Sequence, residues 1–321
     1  MYQDNVTRRR VTDSVAFLGA FSAAVFLLAF AAGVGEGGLS RLMAPIVAGV
    51  EWPVAREVMV SFTLALALTA NVFLLGKLSL RGQILCVWLE LLVAFLVFFD
   101  SFDLSYAFIL SKIGFMITQG VFTTVYISAI SIAIAFVLAM AGATAKLSSN
   151  GFAVAIASFY TSFFRGVPLL IQIYLIYLGI PQLGYVVGAV PAGVLALSLC
   201  YGAYMTEIFR AGIMSIPKGQ WEASRALGLT PVQTMSRVVM PQAMRLIIPP
   251  TGNQFISMLK DSSLVSVIGV WELMFLARTQ GRAEFRHLEM LITAALLYWI
   301  LSIVLERVQA RLEHRFDRAH R

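Results

Sequence analysis

The length of its uncharged segments constrains this chain more than any other feature. After Arg165, 41 consecutive residues from Gly166 to Thr206 carry no charged side chain. An α-helix needs about 20 apolar residues to cross the hydrocarbon core of a bilayer, so this run is long enough for two crossings. The glycines and proline of Gly179–Gly184 supply a turn that would divide it. The run therefore predicts two membrane-spanning helices joined by a short loop.

The composition of the whole chain indicates the same class of protein. Hydrophobic residues make up 59% of the 321 residues and charged residues 13%, with a mean hydropathy of +0.83. Soluble domains carry about 25% charged residues, so a soluble cytosolic enzyme is a poor interpretation. The net charge of +7 does not indicate nucleic-acid binding, because the basic residues are scattered at the ends of apolar segments. We therefore expect an all-α integral membrane helical bundle.

Eight apolar segments predict eight membrane-spanning helices. They are Ser14–Gly35, Val58–Gly76, Ile84–Phe99, a stretch within Ile113–Ala145, Tyr160–Leu178, Tyr185–Ile208, Asn253–Phe275 and Met290–Leu305. The first resembles a signal peptide, but its length and the lack of a clear cleavage site favour a retained span. Glu90 lies inside the third span. An ionisable residue at membrane depth marks a functional position by default, although a place facing a neighbouring helix or near a helix end is the simpler interpretation.

The basic residues also predict the topology. If the N-terminus is inside, most of the 24 lysines and arginines fall on inner segments, and Arg165 and Lys260 lie within spans. The outer segments then hold only Arg41, Arg56, Lys112, Arg278, Arg282 and Arg286. Inner loops of membrane proteins are enriched in Lys and Arg, so both termini are expected in the cytoplasm. The same count assigns the polar segment Ile208–Pro250 to the cytoplasmic side.

This polar segment reads as a helix-turn-helix between two spans. Pro217 suits the first turn of one helix, and Gly228 suits the residue that ends it. Thr230 can cap a second helix, with Pro231 at its first position and Gln233 completing a capping box. The residue before a proline is biased away from helix, so the second helix is expected to end before Pro241. A polar helix-turn-helix in an apolar chain is typical of a docking surface.

The segment also resembles a known family. The residues that carry the resemblance are Glu222-Ala223-Ser224, Gly228, Val238 and Met240-Pro241. Their spacing resembles the EAA loop of ABC importer permeases, the membrane subunits of bacterial uptake systems, where Ala, Ile and Leu are usual at the positions of Ser224, Val238 and Met240. The segments Phe164–Leu170, Ala203–Arg210 and Leu259–Leu264 resemble the polar amino acid branch of that family.

The resemblance covers roughly residues 115–308 and implies a division of the chain into three parts. Residues 1–112 would be an N-terminal extension with three transmembrane helices. Residues 113–308 would be the five-span permease core, including the cytoplasmic EAA loop 208–250. Residues 309–321 would be a charged cytoplasmic tail. The protein would be a multi-pass protein of the bacterial inner (plasma) membrane.

The same resemblance implies how transport is driven. The sequence contains no Gly-x-x-x-x-Gly-Lys-Ser/Thr phosphate loop, so separate ATPase subunits would bind ATP and Mg²⁺, and this chain would hold no cofactor and be no enzyme. In the family, the EAA helices insert into a groove on those ATPases. The coupling residues carried over are Gly219, Glu222, Ala223, Ser224, Gly228 and Pro241, with a packed face of Trp221, Ala223, Ala226 and Leu227. The further partners would be a second permease (the same or a homologous chain), membrane lipid and a periplasmic or extracellular amino acid-binding protein.

The substrate pathway is expected near the start of the seventh span. At helical spacing, one side of it presents Gln254, Ser257, Met258 and Asp261. Charge is expensive in lipid, so Asp261 should face the protein interior, where it either lines the pathway or pairs with Lys260 to hold neighbouring helices. Arg165 either binds a substrate carboxylate or anchors the chain at the interface. In related permeases an acidic residue can stand at the position of Gln254, so a neutral side chain there favours glutamine, glutamate or a broad polar range over lysine or arginine alone.

Two functions of other classes stay open from the residues themselves. An ion-gradient-driven secondary transporter of polar solutes would use a coupling site such as Glu90 or Asp261, and a membrane assembly factor would transport nothing. The histidines and cysteines show no metal-ligand spacing, and no nucleophile lies beside a base in the pattern. The sequence therefore predicts neither a metal site nor a catalytic site.

Overall fold

A computed structural model of the protein describes residues 14–34, 50, 52–100, 102 and 104–318. Arg8–Arg10 and Arg41, which entered the topology prediction, lie outside these residues. The chain divides into two units, Met1–Leu104 and Ser105–Arg321, and each is described by itself.

The first unit contains three apolar helices, α1 (Val15–Ala31), α2 (Pro53–Lys77) and α3 (Leu80–Asp100). The Ser14 side chain accepts the backbone N–H of Phe17 at the start of α1, and a proline occupies the first turn of α2, where its missing N–H costs nothing. Helices α1 and α2 pack against each other. Helix α3 is exposed along its length, and Glu90 lies exposed near its middle, so Glu90 neither faces a neighbouring helix of this unit nor lies near a helix end.

The second unit contains the remaining helices. They are α4 (Tyr106–Phe115), α5 (Phe122–Lys146), α6 (Gly151–Gly166), α7 (Leu169–Tyr174), α8 (Ile180–Gln182), α9 (Ala189–Met214), α10 (Lys218–Ala226), α11 (Pro231–Thr234), α12 (Met240–Asp261), α13 (Leu273–Ala283) and α14 (His287–Arg318). Three π-helical turns, Met116–Val121, Leu175–Gly179 and Met235–Val239, join α4 to α5, α7 to α8 and α11 to α12. A 3-10 helix, Ser262–Ile268, extends α12.

By length and composition, the described helices provide up to seven of the eight predicted spans. In the described part of the chain, five helices are long and apolar enough to cross a membrane, and two bent helix pairs raise this to seven; α1 is a shorter apolar helix of 17 residues. The described residues contain no strand. The predicted fold class, a membrane helical bundle with three helices before a permease-like core, is confirmed.

Two predicted spans are not straight helices, which corrects the sequence interpretation. The fifth span is α6 followed by α7 and α8, with a bend of 108° between α6 and α7. The bend occurs because Pro168 has no N–H to continue the helix and because Val167 before it is extended. The seventh span combines α12, its 3-10 extension and α13, bent by 50° near Gly269, whose φ is +84°.

The prediction that a helix ends before Pro241 is wrong. The chain passes from the π-helical turn directly into α12, and Pro241 lies in the first turn of that helix. The π-helical turn Met235–Val239 lies directly before Pro241, and its different hydrogen-bond pattern accommodates a residue without an N–H. The polar segment is therefore continuous with the next span.

Helix α9 lies at the centre of the second unit and packs against α5, α6, α7 and α12. Its neighbours approach closely: a β-carbon added at Gly142 of α5 would lie 2.5 Å from the Oγ1 atom of Thr206, and one added at Gly212 would lie 2.5 Å from Cγ1 of Ile247. Helices in lipid associate through such close packing, because burial from lipid supplies no hydrophobic driving force between them. A second apolar cluster joins α13 to α14 through Leu273, Ala277, Met290 and Ala294.

Candidate coupling surface and translocation site

The polar segment folds as its local sequence predicts. After α10, the N–H of Leu229 binds the carbonyl of Ser224 at 3.1 Å and the N–H of Gly228 binds that of Arg225 at 2.9 Å. These two bonds form a Schellman motif, which needs a left-handed residue, and Gly228 has φ +74°. The turn is therefore set by glycine at this position.

The next helix begins with the predicted capping box. The backbone N–H of Thr230 donates to Oε1 of Gln233 at 2.9 Å, and the backbone N–H of Gln233 donates to Oγ1 of Thr230 at 3.3 Å. Pro231 follows at the first helical position. These bonds satisfy donors that would otherwise lack partners at the helix start, so the turn between α10 and α11 is rigid.

Most of the predicted coupling residues lie at the surface of this segment. Exposed are Gly219, Glu222, Ala223, Gly228 and Pro241. Ser224 is different, because it is buried and its hydroxyl donates to the carbonyl of Gln220 at 2.7 Å. Leu227 is 80% exposed and extends the surface past Ala223. The structure thus brings an acidic side chain, small residues and an exposed leucine together on one short helix and its turn.

Trp221 does not belong to this exposed face. It is half-buried and packs against the main apolar cluster of its own chain, together with Met235 and Met240. The amide of Gln242 on α12 also donates to Oε1 of Gln220 on α10 at 3.2 Å. These contacts attach α10 to the membrane core, which would let a displacement of the segment move the spans.

A central cavity of about 370 Å³ lies at the bend between α6 and α7. Its walls are Arg165–Leu169 at the bend, Cys200, Tyr201 and Tyr204 on α9, and Gln254 and Asp261 on α12. Three predicted pathway residues, Arg165, Gln254 and Asp261, are therefore brought together. We call this space the central cavity.

The other two predicted pathway residues do not line this cavity. Met258 is fully buried in the apolar core, and half-buried Ser257 is absent from the cavity wall. Helical spacing places Met258 near the side of Asp261, but Met258 belongs to the main apolar cluster, which also includes residues of α9. The prediction that these two residues face the same open space as Asp261 is not supported by the geometry.

Asp261 is held by a tyrosine. The Tyr201 hydroxyl donates to Oδ2 of Asp261 at 2.7 Å. Lys260 is exposed, and the ion pairs of the described residues do not include one between Lys260 and Asp261. Asp261 therefore presents a carboxylate to the cavity with one of its oxygens already engaged.

Arg165, which also lines the cavity, is held by residues of α9. Its guanidinium carbon lies 5.5 Å from the centre of the Tyr204 ring, within the range of a cation–π contact. One of its nitrogens lies 3.9 Å from Oε1 of Glu207, one turn further along α9. Glu207 also pairs with Lys146 and with Arg210, the latter at 2.9 Å. The cavity therefore offers a cation and a carboxylate, which together match the two charges of an amino acid zwitterion.

The sequence interpretation missed Gln172. Its side chain is 2% exposed, and its amide nitrogen donates to the carbonyls of Phe164 at 2.9 Å and Val167 at 2.8 Å. Pro168 removes the N–H that would have bound the Phe164 carbonyl, so the side chain replaces it. An amide four residues after a proline in an otherwise apolar run is the signal that could have indicated this residue.

Comparison with known proteins identifies the family. Residues 135–318 match the family described as binding-protein-dependent transport system inner membrane component. The chain is 39% identical over 204 residues to the L-cystine transport system permease protein TcyB of Bacillus subtilis (strain 168), covering 63% of this chain and 87% of TcyB. It is 37% identical over 214 residues to the arginine transport system permease protein ArtQ of the same organism, covering 66% of this chain and 97% of ArtQ.

A solved structure supports the same assignment. The crystal structure of an amino acid ABC transporter with histidines matches with a TM-score of 0.62 and 34% identity, covering 66% of this chain and 99% of the matched chain. The matched part leaves out about a third of this chain, whereas it takes in nearly all of the solved permease. The chain therefore belongs to the family of binding-protein-dependent transport system inner membrane components, and within it to the amino acid ABC transporter permeases.

Proposed function

We propose that this chain forms the translocation pathway of an ATP-driven amino acid importer and is coupled to separate ATPase subunits through Ile208–Pro250. The observation that carries the proposal is the continuity between this segment and the central cavity. Helix α9 carries Tyr201 and Tyr204 and ends at Met214 within the segment, while α12 begins at Met240 within the segment and carries Gln254 and Asp261 beyond it. At about 1.5 Å per helical residue, Tyr204 lies only about 15 Å from the end of α9.

This connection supplies a mechanical route from ATP to substrate. ATPase subunits that bind α10 and then close would displace the ends of α9 and α12, the helices that line the central cavity. The rigid turn at Gly228 and Thr230 would transmit that displacement with little loss. ATP and Mg²⁺ would be bound by the partner subunits, a second permease would complete the pathway, and an external binding protein would deliver the amino acid. Both chain termini would then lie in the cytoplasm, on the side of the ATPases.

The charges of the central cavity indicate which substrate is transported. Arg165 suits the α-carboxylate of an amino acid, and Asp261 suits its ammonium group. Gln254 adds a neutral amide rather than a second carboxylate, so the cavity has one negative charge fewer to attract a cationic side chain. We therefore propose glutamine, glutamate or a broad polar range as the cargo, in preference to lysine or arginine alone.

Co-purification of the ATPase subunits tests the coupling. Glu222→Lys changes an exposed charge on α10 without straining the backbone, and Glu284→Lys makes the same change at an exposed position after α13. The ATPase should co-purify with the wild type and with Glu284→Lys but not with Glu222→Lys, and ATP-driven uptake should follow the same pattern. Equal recovery of the ATPase with both variants would contradict the proposal. Uptake that continues without ATP and collapses with an uncoupler would indicate an ion-driven transporter instead.

A further inference from the structure

A second cavity of about 320 Å³ lies in the same unit of the chain. It is lined by Tyr174 of α7, by Ser266, Val267 and Gly269 after α12, and by Phe275, Arg278, Thr279 and Arg282 of α13. We call it the outer cavity. A pocket of this size falls at the lower end of the range for small-molecule sites, about 300–1,000 Å³, so it can hold an amino acid.

The outer cavity shares two walls with the central cavity. Leu169 lines the central cavity and Tyr174 lines the outer one, five residues along the same helix, or about 7.5 Å at 1.5 Å per residue. Likewise Asp261 lines the central cavity, and Ser266 lines the outer one in the 3-10 extension of α12, where the rise is about 2 Å per residue. The residues that line the two cavities are therefore separated by about 8–10 Å along both walls.

The outer cavity lies on the side of the central cavity away from the coupling segment. Along α12 and its extension, the order is the coupling segment, then Gln254 and Asp261, then Ser266. A solute that passes between the outside and the coupling side along this wall meets the outer cavity before the central one. If the coupling segment lies in the cytoplasm, as proposed, this order makes the outer cavity an earlier site on the import pathway.

Two arginines give the outer cavity its chemistry. Arg278 and Arg282 are one helical turn apart on α13, both are exposed, and neither belongs to the ion pairs found among the described residues. Arg286, just beyond α13, differs because it binds Glu289 at 2.9 Å. Buried Glu272, at the start of α13, already accepts the N–H groups of Met274 and Phe275 and the Tyr298 hydroxyl.

We infer that the outer cavity is a carboxylate-binding subsite, which receives the amino acid before it reaches the central cavity. A guanidinium binds a carboxylate through two parallel hydrogen bonds, and a pair of arginines one turn apart can hold both oxygens. The carboxylate would then pass from Arg278 and Arg282 of the outer cavity to Arg165 of the central cavity. The inference rests on the proposed function for the direction of movement. It adds a site that selects for the carboxylate shared by every amino acid.

Charge-selective labelling tests the site without requiring transport. In the purified permease–ATPase complex, Thr279→Cys places a thiol in the outer cavity, and its labelling by anionic and cationic methanethiosulfonates is followed by mass spectrometry of the peptide. The anionic reagent should react at least tenfold faster than the cationic one. The ratio of the anionic to the cationic labelling rate should fall to between about 0.5 and 2 when Arg278→Gln and Arg282→Gln are added. Arg286→Gln should leave this ratio unchanged. Glutamine should slow the labelling, and glutamine amide, which lacks the carboxylate, should not.

A transport measurement separates this inference from the proposed function. In proteoliposomes with the ATPases and the binding protein, the Arg278→Gln, Arg282→Gln double variant should take up glutamine at least tenfold more slowly than the Arg286→Gln control. Its affinity for the binding protein should stay within twofold of wild type.

Equal labelling rates for both reagents, or protection by glutamine amide as strong as by glutamine, would overturn the subsite. So would a loss of binding-protein affinity as large as the loss of uptake, because the arginines would then be docking residues. Intact protection without ATP-driven uptake would count against the proposed function and leave the subsite standing.

Discussion

The hydroxyl of Tyr201 donates a 2.7 Å hydrogen bond to the carboxylate of Asp261, joining the centre of α9 to the end of α12 beside the central cavity. We expect Tyr201→Phe to fold normally and to lower the rate of ATP-driven uptake about tenfold, since a hydrogen bond to a charged group contributes about 1.5–3 kcal/mol. Initial uptake rates in proteoliposomes measure the effect. Tyr185→Phe removes a hydroxyl from a side chain that is 72% exposed and should change nothing; similar rates for both variants would refute a role for the Tyr201–Asp261 bond.

Gln172 should be needed for the bend that forms the cavity wall. Gln172→Leu keeps most of the side-chain volume but removes both hydrogen bonds to the carbonyls of Phe164 and Val167. Carbonyls left without donors in a membrane protein are costly, so we expect a loss of about 2–3 kcal/mol and weaker uptake. Thermal unfolding in detergent measures the loss of stability. Gln119→Leu is the matched control, because Gln119 is half-buried and bonds only to Thr123 in the described structure; an equal loss there would mean that the bend has no special need for Gln172.

Glu207 should stabilise three cations at once. Glu207→Gln removes the carboxylate that pairs with Lys146 and Arg210 and lies 3.9 Å from Arg165. Removing one partner of a partly buried ion pair leaves the other charge uncompensated, and we expect a loss of about 1–3 kcal/mol. Adding Lys146→Met should restore part of it. A double-mutant cycle of unfolding temperatures measures the coupling between the two sites, and strictly additive effects would contradict a direct interaction.

A substitution at Gly228 should act through the backbone conformation rather than through steric overlap. A β-carbon there would meet no atom within 4 Å, but φ is +74°. A left-handed conformation costs an ordinary residue about 1–2 kcal/mol, so Gly228→Ala should loosen the turn and reduce ATP-driven uptake several-fold. Asparagine tolerates this conformation, so Gly228→Asn should retain most of the activity. Gly151→Ala, at an equally open glycine without positive φ, should have no effect. Identical uptake by the alanine and asparagine variants would argue against a conformational requirement.

The features predicted correctly from the sequence depend on residues close together in the chain. The capping box of Thr230 and Gln233 and the left-handed turn at Gly228 follow from local chemistry, and the apolar spans follow from the length of uncharged runs. The prediction that a helix ends before Pro241 is wrong because the residue before a proline avoids the helical conformation only on average. The π-helical turn that precedes Pro241 has no sequence signature of its own.

The features that were missed depend on residues far apart in the chain. Helical spacing places Met258 and Asp261 on one side of α12, but only the packing of α9 decides which of them meets open space. Arg165 and Asp261 face the same cavity because α6 and α7 meet at 108°. The sequence predicts that Pro168 breaks a helix, but it does not predict the angle between α6 and α7. It also does not predict that Gln172 donates hydrogen bonds to the carbonyls that the break leaves free.

The close approach of Gly142 to Thr206 has a consequence for how the pathway opens. Helices α5 and α9 leave no room at this contact for even a β-carbon, so we expect the two helices to move together. Helix α12 is built differently, because Pro249 and Pro250 remove two of its backbone donors and a Gln309 side chain binds the Pro249 carbonyl from α14. We therefore expect α12 to bend more easily than α5 and α9. We expect alternating access to bend α12 while α5 and α9 move as a pair.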